Sequence, residues 1–130
     1  MTTTRTGRCL CGAVSYSGEA ATGVLHCHCT NCRRLTGNFI AAVRTATEDL
    51  VIDDEDSQLR WHELDYARYG FCQRCGATLF FQPADRVHTS MTAGTMDDTV
   101  GLELESVWFV HERQDHNPLP EGVPHHRGNA

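Results

Sequence analysis

Seven cysteines punctuate this chain of 130 residues, and none of them stands alone. Cys9 and Cys11 form a C-x-C, Cys27, Cys29 and Cys32 form a C-x-C-x-x-C, and Cys72 and Cys75 form a C-x-x-C. An odd count does not close a disulfide framework, and about 5% Cys lies below the ~8–10% of disulfide scaffolds. Buried apolar cysteines scatter with the period of a strand or helix; pairs and triplets at these spacings point instead to zinc ligation. Tetrahedral zinc takes four ligands. The two pairs supply them, in Cys9, Cys11, Cys72 and Cys75, as a closed structural site that ties one end of the core to the other. The triplet then offers three thiolates inside six residues. Three states are open to it: a zinc with an exchangeable fourth position, a zinc closed by His26, His28 or another residue, or metal-free thiols that oxidise.

The two pairs echo each other. Gly12-Ala13 follows Cys11 as Gly76-Ala77 follows Cys75. A tight turn over a metal aims N–H groups at sulfur and needs positive φ next, which glycine adopts without a Cβ clash. Both segments are thus predicted to be zinc knuckles of one kind. Around them the chain reads as short strands, at 12–16, 23–27, 38–44, 50–52, 59–64, 78–81, 87–92 and 106–110, broken by Gly, Asp and Pro. One short helix is expected at 30–35, with Thr30 able to cap it and Gly37 able to end it. The expected class is all-β, in a single domain over 1–130. Its core covers about 7–115, and residues 116–130 form a Pro- and His-containing tail, wrapped or mobile.

Charge narrows the partners. The formal net charge is −6, and all 11 basic residues are Arg, so no Lys is available for Schiff-base or pyridoxal-phosphate chemistry. Nucleic acid and anionic membrane are poor partners for such a surface. No run of ~18 apolar residues and no apolar leader is visible, so the expected location is the cytoplasm, where thiols stay reduced.

Three segments together resemble a known family: 7–14 (Gly7-Arg8-Cys9-Leu10-Cys11-Gly12-Ala13-Val14), 27–37 (Cys27-His28-Cys29-Thr30-Asn31-Cys32-Arg33-Arg34, then Thr36-Gly37) and 71–76 (Phe71-Cys72-Gln73-Arg74-Cys75-Gly76). Their order and spacing are similar to those of the glutathione-dependent formaldehyde-activating enzyme family, also called Gfa-like or centromere-protein-V-like. Ala93-Gly94-Thr95-Met96-Asp97 and Leu119-Pro120 extend the likeness to roughly residues 7–125. The resemblance implies a zinc-held fold of stacked, coiled antiparallel sheets. It implies two zinc ions per chain, a structural one on Cys9, Cys11, Cys72 and Cys75 and a catalytic one on Cys27, Cys29 and Cys32. It also implies a carbon–sulfur lyase of the S-(hydroxymethyl)glutathione synthase type, joining glutathione or another small thiol to formaldehyde.

Three thiolate ligands leave a zinc net negative and a muted Lewis acid, so the expected chemistry is activation of a substrate thiol rather than of the carbonyl. Arg33 and Arg34, adjoining Cys32, are candidates to clamp a substrate carboxylate, and His28 is a candidate proton carrier. Trp61, Trp108, Phe80 and Phe81 are expected in the core, and the acidic run 53–56 in a solvated turn. The competing function is a non-catalytic zinc-stabilised protein-binding or chaperone-like module, which needs only the fold.

Overall fold

The structure, a computed structural model, describes residues 2–129; Met1 and Ala130 lie outside the described residues. It is mostly β: β1 (Thr2–Arg8), β2 (Ser15–Cys27), β3 (Ile40–Ala46), β4 (Val51–Asp53), β5 (Leu59–Glu63), β6 (Ala67–Cys72), β7 (Thr78–Pro83), β8 (His88–Thr92) and β9 (Glu103–Trp108). A single α-helix, α1 (Thr30–Thr36), lies where the sequence predicts one at 30–35 and takes Cys32 of the triplet into its first turn, and three 3-10 turns complete the set among the described residues. No helix is long and apolar enough to cross a membrane.

The strands run β1-β2-β3-β8-β7-β6-β5, with β4 and β9 also on β2. β2 organises the sheet because it is long enough to serve different neighbours along its 13 residues. Ser15 to Ala21 pair with β1, and Ser15 to Ser17 also with β4. Past a register shift between Ala20 and Val24, its second half pairs with β3 and β9. The runs 12–16 and 23–27, expected as separate strands, thus fall in one bent strand and the segment leading into it. The pairing with β9 is parallel, unlike the other strand pairs described.

Alternation gives the central strands two working faces. Val24, Val43, Phe80 and Met91 point into the main core with Val14, Tyr16 and Leu79. Phe80 meets Tyr16 edge-on at 5.4 Å and stacks on Trp61 at 6.0 Å. The opposite face of the same strands presents Ile40, Ala42, Arg44, Phe81, His88 and Ser90 to a cleft.

Two strands escape the sequence pattern. β1 reads TTTRTGR, without one strongly apolar residue. Its inward positions are Gly7 and Arg5; the two terminal nitrogens of Arg5 donate to the carbonyls of Asp98 and Val100 at 2.9 and 2.7 Å, while its Nε is buried without a partner. β6 carries Arg68 and Gly70 mid-strand; Arg68 lies over the Trp61 ring at 4.0 Å and its Nε donates to buried Gln82 at 2.8 Å. The tail is wrapped: Val107 N–H donates to Pro124 O, His126 N–H to Val107 O and Phe109 N–H to Gly128 O, all at 2.9–3.1 Å. The helix cap also differs from expectation. Cys29 is the N-cap, its sulfur accepting from Cys32 N–H, while the Thr30 N–H and hydroxyl both donate to Glu112. Gly37 ends the helix in the left-handed region, as expected.

Candidate metal centres

Cys9 leaves β1, Cys72 ends β6, and the two turns that follow are closed alike. Cys9 N–H donates to Val14 O and Cys72 N–H to Ala77 O, both at 3.0 Å. Gly12 and Gly76 sit at φ 79° and 82°, the conformation the echo in the sequence requires. The four sulfurs of Cys9, Cys11, Cys72 and Cys75 lie within 4.8 Å of one another. Cys11 Sγ is 3.7 Å from both Cys9 Sγ and Cys72 Sγ. Sulfurs ~2.3 Å from a central zinc define a tetrahedron with edges of about 3.8 Å, so the donor set fits a ZnS₄ centre in number, type and spacing. Val14 N–H points at Cys9 Sγ at 3.4 Å. Against the upward pull of burial, the N–H groups of Cys11 and Ala77 hold the Cys75 thiol down to about 6.

The second cluster is local. Cys27 ends β2, Cys29 caps α1 and Cys32 lies in its first turn, with the three sulfurs within 4.8 Å of one another. Negative charge concentrates on Cys29. Hydrogen bonds from Cys27 and then Cys32 bring its thiol down to about 2, while the bond with Cys29 pushes Cys27 up to about 12 and bonds with Cys27 and then Cys29 push Cys32 upward. A divalent cation displaces such shared protons, so this set also fits a metal. Among the described residues no His, Asp or Glu joins it. The Tyr69 hydroxyl lies 3.0 Å from Cys32 Sγ. Burial, then the charge of Cys32, pushes this phenol well up, so it keeps its proton and can donate to Cys32 Sγ once a metal has displaced the thiol proton.

A cleft of about 760 Å³ opens onto the triplet. Leu25, Ile40, Ala42, Phe81, Pro83, Trp108 and Phe109 give it apolar walls, with Asn31, Arg44, Tyr66, Tyr69, His88, Ser90, Glu112 and Asn129 as polar lining. Phe109 holds its place at φ 55°, a left-handed conformation uncommon for an aromatic residue.

Several expected residues lie elsewhere. Arg33 and Arg34 do not line the cleft. Each helical residue turns by about 100°, so Cys32 points inward while Arg34 is carried to the exposed side and Arg33 keeps a buried Nε without a partner. His28 is buried away from the cleft, its ring against Phe39 at 4.9 Å, and burial lowers its pKa. His26 packs on the same Phe39 ring at 4.3 Å. The reason is strand-like alternation: Cys27 and Cys29 face one way, His26 and His28 the other. Trp61 and Phe80 are packed in the core as expected, whereas Trp108 and Phe81 line the cleft. Tyr69, Arg44, His88 and Ser90 were not singled out in the sequence. Period-two spacing along 40–44 was the signal that could have placed Arg44.

A family model described as glutathione-dependent formaldehyde-activating enzyme matches residues 4–112. A comparison with curated proteins gives no match. Among solved structures, the crystal structure of a Rhodobacter sphaeroides protein superposes with a TM-score of 0.62. It is 21% identical, the match covers 92% of this chain and 98% of that one, and the likeness is one of fold. The matched stretch holds both cysteine clusters, the helix that carries Cys32 and most of the lining of the cleft. The chain therefore belongs to the glutathione-dependent formaldehyde-activating enzyme family.

Proposed function

We propose that this protein is a zinc-dependent carbon–sulfur lyase or synthase that joins a low-molecular-weight thiol to an aldehyde, with glutathione and formaldehyde as the pair the family name carries. One observation supports it above the others: the triplet gathers three sulfurs, with no fourth protein ligand among the described residues, where a cleft of about 760 Å³ meets them. The four-cysteine cluster has the opposite character, a full donor set with Cys9 and Cys72 buried. The reading assigns that cluster a structural zinc and Cys27, Cys29 and Cys32 a catalytic one.

In the overall reaction a carbon–sulfur bond forms, the carbonyl π bond opens, and the thiol proton ends on the former carbonyl oxygen. Zinc, when bound, lowers the pKa of a coordinated thiol and so supplies the nucleophile at neutral pH. The chain's own residues do the rest. Cys27, Cys29 and Cys32 hold the ion. The Tyr69 hydroxyl, donating to Cys32 Sγ, fixes that sulfur and moderates its charge. Trp108, Phe109 and Phe81 shield the reacting atoms from bulk water. The reaction is assigned to the cytoplasm, a setting that suits seven cysteines free of disulfides.

Two measurements test the proposal. Thiols mixed with formaldehyde, with and without protein, should form S-hydroxymethyl adducts faster with it; no acceleration for any thiol overturns the reading. In cobalt-substituted protein, added thiol should raise the sulfur-to-cobalt charge-transfer band, whereas an unchanged spectrum at saturating thiol means the site takes no external sulfur. Tyr69→Phe keeps the packing and removes the O–H···S bond. Its expected effect is a loss of about 10–100-fold in zinc affinity or activity, the range for partners of metal ligands. Competition with a chromophoric chelator checks it.

A further inference from the structure

Charge in the cleft is unevenly placed. On the β3 side of the floor Ile40, Ala42 and Arg44 follow one another at alternate positions, and Ile40 is paired with Cys27. Arg44 is therefore four residues, about 13 Å along the strand, from the position beside the thiolates. Directly across from Arg44 on β8 is Ser90, and His88 is the next residue on that face. The partner of His88 on β3 is Ala46, too short to fill the space between them. Arg44, Ser90 and His88 thus make a polar end to a trough that Ile40 and Ala42 floor toward the thiolates, with Phe81, paired with Ser90, beside that end on β7.

Nothing described in the protein neutralises Arg44. It takes part in none of the ion pairs among the described residues. The carboxylate that lines the cleft, Glu112, is engaged instead by the Thr30 N–H and hydroxyl at 3.1 and 2.9 Å. A guanidinium flanked by a hydroxyl and an imidazole N–H, over an apolar floor, matches a carboxylate: Arg binds it through two parallel N–H bonds, and Ser or His adds a third donor.

We propose that Arg44, assisted by Ser90 and His88, binds a carboxylate of the thiol substrate at the end of the cleft remote from Cys27, Cys29 and Cys32. The inference rests on the thiol-binding reading and narrows it. The span selects peptide-sized thiol acids over two-carbon thiols, whose carboxylate cannot reach Arg44 with the sulfur at the triplet. It also moves the carboxylate contact from Arg33 and Arg34 to a strand residue.

The test uses S-methylglutathione, which keeps both carboxylates but has no free thiol, beside its diethyl ester, titrated calorimetrically into the zinc-loaded protein. The acid should bind at least about tenfold more tightly than the ester, the size of one charge-assisted hydrogen-bonded contact. Arg44→Gln should erase that preference, Arg44→Lys should keep part of it, and Ser90→Ala and His88→Gln should each reduce it less. Arg44 is exposed, so these variants should melt with the parent. Equal binding of acid and ester, no binding of either, or a preference that survives Arg44→Gln overturns the assignment. Because the probe lacks a thiol, this outcome is separate from failure of thiol activation, which shows instead as a cobalt spectrum unmoved by glutathione.

Discussion

Cys72→Ser is expected to yield insoluble or unfolded protein. Cys72 is fully buried at the end of β6, and its sulfur sits 3.7 Å from that of Cys11, 61 positions earlier. A cross-link over a loop of that length removes about 4 kcal/mol of chain entropy from the unfolded state, by the estimate used for disulfides. Structural zinc sites in small domains contribute about 10–16 kcal/mol that is coupled to folding. A whole domain has only about 5–15 kcal/mol of net stability. Losing one of four ligands from this site therefore removes an amount comparable to all of it. Cys11→Ser should act likewise, although Cys11 is exposed, because the effect travels through the ion rather than through packing. Far-UV circular dichroism, thermal melts and zinc counts on the soluble fraction check the prediction. A folded Cys72→Ser protein melting within a few degrees of the parent would contradict it.

The second large effect is expected on activity alone. Cys29→Ser and Cys32→Ser alter a ligand set confined to residues 27–32, which closes almost no chain, so the ion there adds little loop-closure stabilisation. The helix cap survives in Cys29→Ser, because a serine hydroxyl can accept from the residue 32 N–H as the sulfur does. Both variants should be folded, carry about one zinc fewer and show no acceleration of adduct formation. If Cys32→Ser unfolds the chain while Cys72→Ser leaves it folded, the structural and catalytic assignments are inverted.

The clusters were legible because ligand spacing is a local code. The x between two cysteines and the glycine after them describe a turn, and the sequence shows both. The fold class was legible for a similar reason: period-two runs and turn residues are local. Strand β1 was not, since its inward group is Arg5, whose burial is made tolerable by the carbonyls of Asp98 and Val100 from more than ninety residues away. The cap at Cys29 was misassigned to Thr30, because hydroxyls are the usual caps and a thiolate does the same work only beside its fellow ligands. The lining of the cleft was the least legible. Arg33 and Arg34 were chosen for nearness in sequence to Cys32, whereas a sheet brings Arg44, Ser90 and Tyr69 to the cleft from three strands by register, which no single segment encodes.

The two clusters differ in when they can exist. A ribosome releases the triplet complete once residue 32 has emerged, whereas the other cluster waits for residue 75, 43 residues later. At ~5–20 residues per second that delay is about 2–9 s. For those seconds Cys9 and Cys11 hold half a donor set, and the nascent chain carries one complete group of three thiols beside it. On the proposed assignment, the first zinc captured during synthesis would go to the triplet, and the ion that joins the two ends of the core would arrive second. In zinc-starved cells, newly made chains should accumulate with the triplet loaded and the segments around Cys9 and Cys72 untied, a form that proteases clear, so supply of the metal would set the amount of protein rather than the activity of each molecule.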